Sequence, residues 1–217
     1  MDIEQARFNM VEQQIRPWEV VDQKVLDLMS QTPREKFVLN GYQHLAFSDT
    51  NIPIGHDEVM MTPKVEARML QALEIEPHEK ILEIGTGSGY VTALLAQLGE
   101  RVTSEEYYAD LSAQAAERCQ LLDLNNIEFI VTDSLINRKF YHRHDVIVIT
   151  GSLPMFDPVF QEQLEIGGRL FVIVGESPVM EALLITRLSE RQWNQISLFE
   201  TDLPALIGAP VINKFVL

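Results

Sequence analysis

Apolar positions recur at three- and four-residue spacing through the first thirty residues, at Val11, Ile15, Val20, Val21, Val25, Leu26 and Met29. That period predicts amphipathic helix. Pro17, which follows Arg16, lacks a backbone donor and disfavours helix in the residue before it, so two helices are expected rather than one. A short helical segment is expected from Thr32-Pro33 to about Val38, and residues 46–63, with Pro53, Gly55 and Pro63, read as a long irregular loop. Such loops more often bind than fill. From Lys64 the pattern turns to strand–helix alternation. Val65, Met69, Leu70 and Leu73 mark a helix face, and Lys80–Ile84 a short buried strand before a glycine-rich turn and helix Val91–Leu98. Strands are expected at Arg101–Ser104, Ile127–Val131, Asp145–Thr150 and Gly168–Val174, with helices over Ala109–Leu122 and Phe156–Leu164. Further strand-like stretches follow near Ala182–Leu188, Gln195–Glu200 and Val211–Val216. Four consecutive apolar residues, Val146–Ile149, suit a strand covered on both faces. The repeated βα units predict an α/β fold with a doubly wound, mainly parallel sheet. The chain reads as a single domain over 1–217, with a helical extension and loop over 1–63 and an α/β core over 64–217.

Composition narrows the function. Of 217 residues, 46% are apolar, which suits a folded globular chain. Seventeen Lys and Arg against 32 Asp and Glu give a net charge of −15, and that field opposes nucleic-acid binding. No apolar run reaches the roughly 20 residues of a membrane span. The start, Met1–Arg7, lacks the pattern of a signal peptide, and the single cysteine, Cys119, excludes an intramolecular disulfide. Membrane attachment is therefore not expected, and a cytoplasmic location is. Oligomeric state is not readable.

The candidate chemistry lies at the strand ends. Ile81-Leu82-Glu83-Ile84-Gly85-Thr86-Gly87-Ser88-Gly89-Tyr90 joins a strand to a helix, and its glycines let backbone N–H groups approach a ligand at the helix N-terminus. The spacing G-x-G-x-G is shorter than the dinucleotide fingerprint. A G-x-G pair alone also fits a tight turn with no ligand. Glu105 and Glu106 end the second strand about 20 residues on, where a carboxylate can accept both hydroxyls of a ribose. Alternation predicts that only one of them faces the crevice. Asp133, before Ser134, ends the third strand and could take the amino group of adenine, or merely close a turn. The three sites border one crevice of the kind that binds ligands in such sheets.

These residues resemble those of the protein-L-isoaspartate O-methyltransferase family. Met10–Arg16, Val25-Leu26 and Pro33–Val38 are similar to that family's first helices, and Ala46–Asp49 with Ile52–His56 to its substrate-side loop. Ile81–Tyr90 matches its cofactor loop nearly residue for residue, matching back from Leu111 puts its ribose-binding acid on Glu106, and Asp133-Ser134 takes the place of its adenine-side pair. Asp145–Thr150 and Gly167–Leu170 continue the likeness.

The resemblance implies a Rossmann-like fold, S-adenosyl-L-methionine as cofactor, and methyl transfer to the α-carboxylate of L-isoaspartyl residues in damaged proteins. The ester then closes to a succinimide that partly hydrolyses to normal aspartate. It implies a cofactor site of Glu83, Gly85, Thr86, Gly87, Gly89, Glu106, Asp133 and Ser134. Substrate-side candidates are Asp49, Ile54, His56, Met60, Met61, Thr62 and Thr150. A carboxylate is already nucleophilic at neutral pH, so alignment rather than a general base is required. No catalytic residue is assigned, because the family's Gly-Gln-Thr-Ile-Ser becomes Asp57-Glu58-Val59-Met60-Met61 here and Met61 cannot donate a hydrogen bond. Two other readings stay open: another acceptor, such as a small molecule with an apolar face, or a protein that binds the cofactor without catalysis. The ending over 209–217 is not expected of the standard enzyme. Tyr141-His142-Arg143-His144 has no third ligand nearby in sequence and predicts no metal site, and Cys119 reads as a packing residue.

Overall fold

Asp2 opens the first helix by accepting the Gln5 N–H at 3.2 Å, which starts α1 at Ile3–Met10 in the computed structural model. The structure describes residues 2–136 and 142–210. Helix gives way at Pro17 as expected, through a wide π turn over Val11–Ile15 and a tight turn over Arg16–Trp18, and Glu19 ends the run at φ 62°. Asp22 then caps α2, Gln23–Gln31, whose Val25, Leu26, Leu28 and Met29 are buried. A single turn over Arg34–Lys36 follows.

The stretch read as irregular is partly ordered, and this is a correction. Ile52–Gly55 (β1) pairs antiparallel with Glu58–Met60 (β2), turning at His56 and Asp57 with φ of 55° and 61°. Two successive positive φ values match the twist of a tight hairpin. The usual signal is Asn-Gly or Asp-Gly, and its absence hid the turn from sequence reading. Pro53 is tolerated because the ribbon has only two strands.

Helix α3, Pro63–Leu73, leads into β3, Lys80–Ile84, then α4, Tyr90–Leu98, β4, Arg101–Glu106, α5, Ala109–Gln120, and β5, Ile127–Val131. The chain continues through β6, His144–Leu153, the short α6, Val159–Glu162, β7, Leu164–Glu176, β8, Val179–Ser189, and β9, Gln192–Thr201. The helix expected over Phe156–Leu164 is thus one turn, because Leu164 already belongs to β7. The strand-like stretch at Val211–Val216 lies outside the described residues.

Seven strands form one sheet in the order β5-β4-β3-β6-β7-β8-β9. The five from β5 to β7 are parallel, and β8 and β9 extend the sheet antiparallel. Successive residues feed opposite faces. Ile81, Val146 and Val148 join one apolar cluster with the N-terminal helices, whereas Leu82, Ile84, Ile147 and Ile149 join the other with Phe160 and Leu164. The chain leaves β3 toward β4 on one side while β6 lies on the other. That reversal opens a crevice beyond the carboxyl ends of β3 and β6.

Candidate active site

The crevice holds a hollow of about 800 Å³, counting its open mouth. Its floor is the β3–α4 turn. Gly85 and Thr86 donate their N–H groups to the Glu105 carbonyl at 2.8 and 3.2 Å, pinning the turn to the end of β4. Gly85 has φ +96°, and a Cβ there would lie 2.5 Å from Thr150 Oγ1. The Thr150 hydroxyl reaches the carbonyls of Ile84 and Gly85. Gly89 stands at the head of α4 with φ +82°, where a Cβ would sit 2.7 Å from that of Ala115 on α5. Glycine therefore shapes the turn at one position and lets two helices close together at the other.

Glu106 faces the hollow from the tip of β4 and is only 6% exposed. One of its oxygens accepts the Gly87 N–H at 2.8 Å and the other the Tyr108 N–H at 2.9 Å. Each oxygen keeps a second lone pair, so the carboxylate can still accept a pair of hydroxyls. Glu105 lines the hollow as well, contrary to the alternation argument. Alternation itself holds to the end of β4, with Glu106 buried and Glu105 half-buried, and the hollow at the strand tip meets residues of both faces. Burial raises the Glu105 carboxyl above its ordinary range, and the Ser134 hydroxyl opposes that shift. Asp133 and Ser134 line the far side, with one Asp133 oxygen closing its own turn on the N–H groups of Leu135 and Ile136 at 3.0 and 3.1 Å.

Glu83 is placed differently from the sequence expectation. It does not line the hollow but lies fully buried beneath the turn, accepting from Thr92 Oγ1 at 2.5 Å and Ser104 Oγ at 2.6 Å. Ser104 meets the Thr86 hydroxyl at 2.6 Å, so Glu83 supports the turn through two hydroxyls. Burial pushes its carboxyl up to about 8 despite those bonds, and the nearby Glu106 adds to the rise. The folded chain thus holds this proton to about pH 8, whereas the ordinary value is 4.5. It binds more protons than the unfolded chain across that window, and stability falls as pH rises through it. One such group gives at most roughly 1.4 kcal/mol per pH unit. Glu83→Gln is expected to flatten the fall of Tm between pH 5 and 8, and melting curves parallel to wild type would refute it.

On the opposite wall stand Ile54, Val59, Met60 and Met61 from the hairpin and the residue after it, with Glu58 at the lip. Burial raises Glu58 above the ordinary carboxylate range, and Glu106 and Asp57 push the same way. Three substrate-side candidates stand outside the lining. Asp49 pairs with Lys64 Nζ at 2.7 Å, and His56, at the hairpin tip, stacks on Tyr108 at 3.9 Å and contacts the Asp110 carboxylate at 2.9 Å. Thr62 precedes α3, and its buried hydroxyl has no hydrogen-bond partner among the described residues.

The structure adds residues that sequence reading missed. Glu66 enters from α3, fully buried, with one oxygen on Arg34 Nη1. Burial raises its carboxyl, and the Arg34 charge opposes. A signal existed: Glu66 stands three, four and seven residues before Met69, Leu70 and Leu73, hence on their apolar face. Leu206 and Ile207 close the hollow from the chain's last described stretch, which is held by Ser152. Ser152 N–H donates to the Pro204 carbonyl and Leu206 N–H to the Ser152 carbonyl, each at 2.9 Å. No local pattern announces that contact. Among the described residues, no group of three or more His, Cys, Asp or Glu is placed to hold a metal ion.

A glycine turn at the switch point, a doubly bonded acid on the next strand and a third strand tip across the hollow define an α/β protein built to hold a nucleoside cofactor. Comparison with known proteins agrees in fold and makes the assignment finer. The family model described as Protein-L-isoaspartate(D-aspartate) O-methyltransferase matches residues 5–200. A Syntrophus aciditrophicus protein-L-isoaspartate O-methyltransferase is 37% identical, covering 86% of each chain. One from Syntrophobacter fumaroxidans is 38% identical over 85% of this chain and 86% of its own. A Plasmodium falciparum structure assigned to the same activity, in complex with S-adenosyl-L-homocysteine, superposes with TM-score 0.76 at 20% identity, over 92% of this chain and 97% of that one. The chain belongs to the protein-L-isoaspartate O-methyltransferase family.

Proposed function

We propose that this chain is an enzyme that moves a methyl group from S-adenosyl-L-methionine to the α-carboxylate of L-isoaspartyl residues in damaged proteins, in the cytoplasm. The observation that carries the reading is Glu106, held by the N–H groups of Gly87 and Tyr108 at the rim of a hollow floored by the glycine turn. The residues suit the cofactor. Glu58, Glu66, Glu105, Glu106 and Asp133 line the hollow, and no Lys, Arg or His does so among the described residues, which favours a cationic ligand.

The bound cofactor supplies an electrophilic methyl carbon on a sulfonium. That carbon would methylate a carboxylate oxygen held in line with it, with a neutral thioether as the leaving group. The protein's part is placement. Glu106 would take the ribose hydroxyls and Asp133 and Ser134 would border the base, while Glu83 holds the turn from below. Ile54, Val59, Met60 and Met61 keep water from the reacting atoms. The acidic chain, at −15, argues against nucleic acid as acceptor. Cys119 is free and buried, as suits a reducing compartment. Among the described residues no helix is long and apolar enough to cross a membrane.

A second reading rests on one observation. Met61 is buried and lines the hollow at the position where the resemblance places the family's Ser, so an acceptor with an apolar face is the alternative. An isoaspartyl peptide with methyl-labelled cofactor is expected to give a base-labile ester. Label passing only to other acceptors favours the second reading, and binding without turnover favours a non-catalytic protein. Met61→Ser is expected to raise kcat/KM for the peptide about tenfold, the worth of one hydrogen bond. An unchanged value would mean that the hydroxyl is not what limits repair.

A further inference from the structure

Glu66 combines three properties that do not sit together without a ligand. It is fully buried, it lines the hollow, and its Oε1 has no hydrogen-bond partner among the described residues. A buried carboxylate oxygen without a donor is costly, and native structures seldom keep one. Arg34 does not supply the donor as placed: three of its five N–H groups are engaged elsewhere and neither of the other two bonds Oε1. Its Nε donates to the Ala46 carbonyl at 2.8 Å, its Nη2 to the Met61 carbonyl at 2.6 Å, and its Nη1 to the other Glu66 oxygen. The guanidinium also lies 4.8 Å from the centre of the Tyr90 ring, which limits its freedom to turn. Thr62 Oγ1 and Tyr90 Oη, also buried and without a partner among the described residues, do not bond Oε1 either, which leaves the hollow as the side from which a donor can come.

We propose that Glu66 anchors the α-ammonium of the cofactor's amino-acid arm through Oε1. The proposal rests on the cofactor reading above and adds the residue that recognises one end of the ligand. Placement supports it. Glu106 and Asp133 hang from the tips of β4 and β5, at the adenosine side, whereas Glu66 comes from α3 beside Met61. A ligand with its adenosine on those tips runs its sulfonium arm along the Gly85–Gly87 turn toward α3. Its hydroxyls and ring amine are then engaged at the far end, and the ammonium is the donor left for Glu66. Charge agrees, since the hollow offers acids and no basic side chain among its described lining.

Two ligands separate this role from a structural one. S-adenosyl-L-homocysteine carries the arm, whereas 5′-methylthioadenosine keeps the adenosine and thioether and lacks it. Calorimetric titration of the full chain and of Glu66→Gln uses both. The Gln carbonyl can still accept from Arg34, which turns an NH₂ group toward the hollow. The expected result is an about 30-fold weaker affinity for S-adenosyl-L-homocysteine, the worth of one charge-assisted hydrogen bond. Affinity for methylthioadenosine stays within about twofold. Equal losses for both ligands would overturn the proposal in favour of a packing role. Unchanged S-adenosyl-L-homocysteine binding with a raised KM for the peptide would overturn it in favour of an acceptor contact. Wild type that binds neither ligand removes the cofactor reading itself. Should Glu66→Gln fail to fold, the double variant Arg34→Met/Glu66→Leu removes both buried charges together, and the same selective loss is expected of it.

Discussion

Glu106→Ala is expected to weaken S-adenosyl-L-homocysteine binding by about 100-fold or more, the worth of two hydrogen bonds to a charged acceptor. Two losses add. The ligand's ribose hydroxyls lose their acceptor, and the N–H groups of Gly87 and Tyr108 lose theirs, at 2.8 and 2.9 Å. The second loss slackens the turn that meets the ligand. Glu106→Gln should be nearly as damaging, because an amide oxygen can satisfy one of those N–H groups while its NH₂ opposes the other. Glu105→Gln is the control. It borders the same hollow, but its contact is with the Ser134 side chain, and a change of within about threefold is expected. Titration of the three variants decides the matter. A larger loss at Glu105 than at Glu106 would move the ribose contact to the neighbouring acid.

Arg34→Met is expected to cost about 3–5 kcal/mol of stability, read from urea unfolding. The guanidinium is fully buried and joins three segments: the loop at Ala46, the acceptor wall at Met61, and α3 at Glu66. Its removal strands a buried carboxylate and two buried carbonyl oxygens. Arg34→Lys should restore only part, since an ammonium cannot reproduce a planar fork aimed at three acceptors. The double variant with Glu66→Leu should regain much of the loss by removing the stranded charge as well. Additive losses in that cycle would show that the two side chains do not act as a pair.

Much of the core is legible locally. Val146–Ile149 and Ile81-Leu82 are apolar on consecutive residues because both faces of their strands are covered, and the turn at Gly85–Gly89 stands between a strand and a helix as its pattern predicts. The N-terminal helices and their interruption at Pro17 follow from period and from a missing donor. Of the cofactor-side candidates, Gly85, Thr86, Gly87, Glu106, Asp133 and Ser134 line the hollow, whereas Gly89 stands at the head of α4 against Ala115 and Glu83 lies beneath the turn. Of the substrate-side candidates, Ile54, Met60, Met61 and Thr150 line the hollow, and Asp49, His56 and Thr62 stand outside it.

By itself, then, the amino-acid order determined the parallel α/β core, the glycine turn and the acids at its strand tips, because each is written in residues adjacent along the chain or spaced by the period of a helix or strand. Only the tertiary structure decided the hairpin over the crevice, the outward place of His56, the buried pairing of Glu66 with Arg34, and the closure by Leu206 and Ile207. Arg34 and Glu66 are 32 residues apart, and Ser152 Oγ meets the Leu203 carbonyl across 51. Contacts of that reach depend on how whole elements pack, and the periodic pattern that marks a buried face does not say which distant residue it will meet.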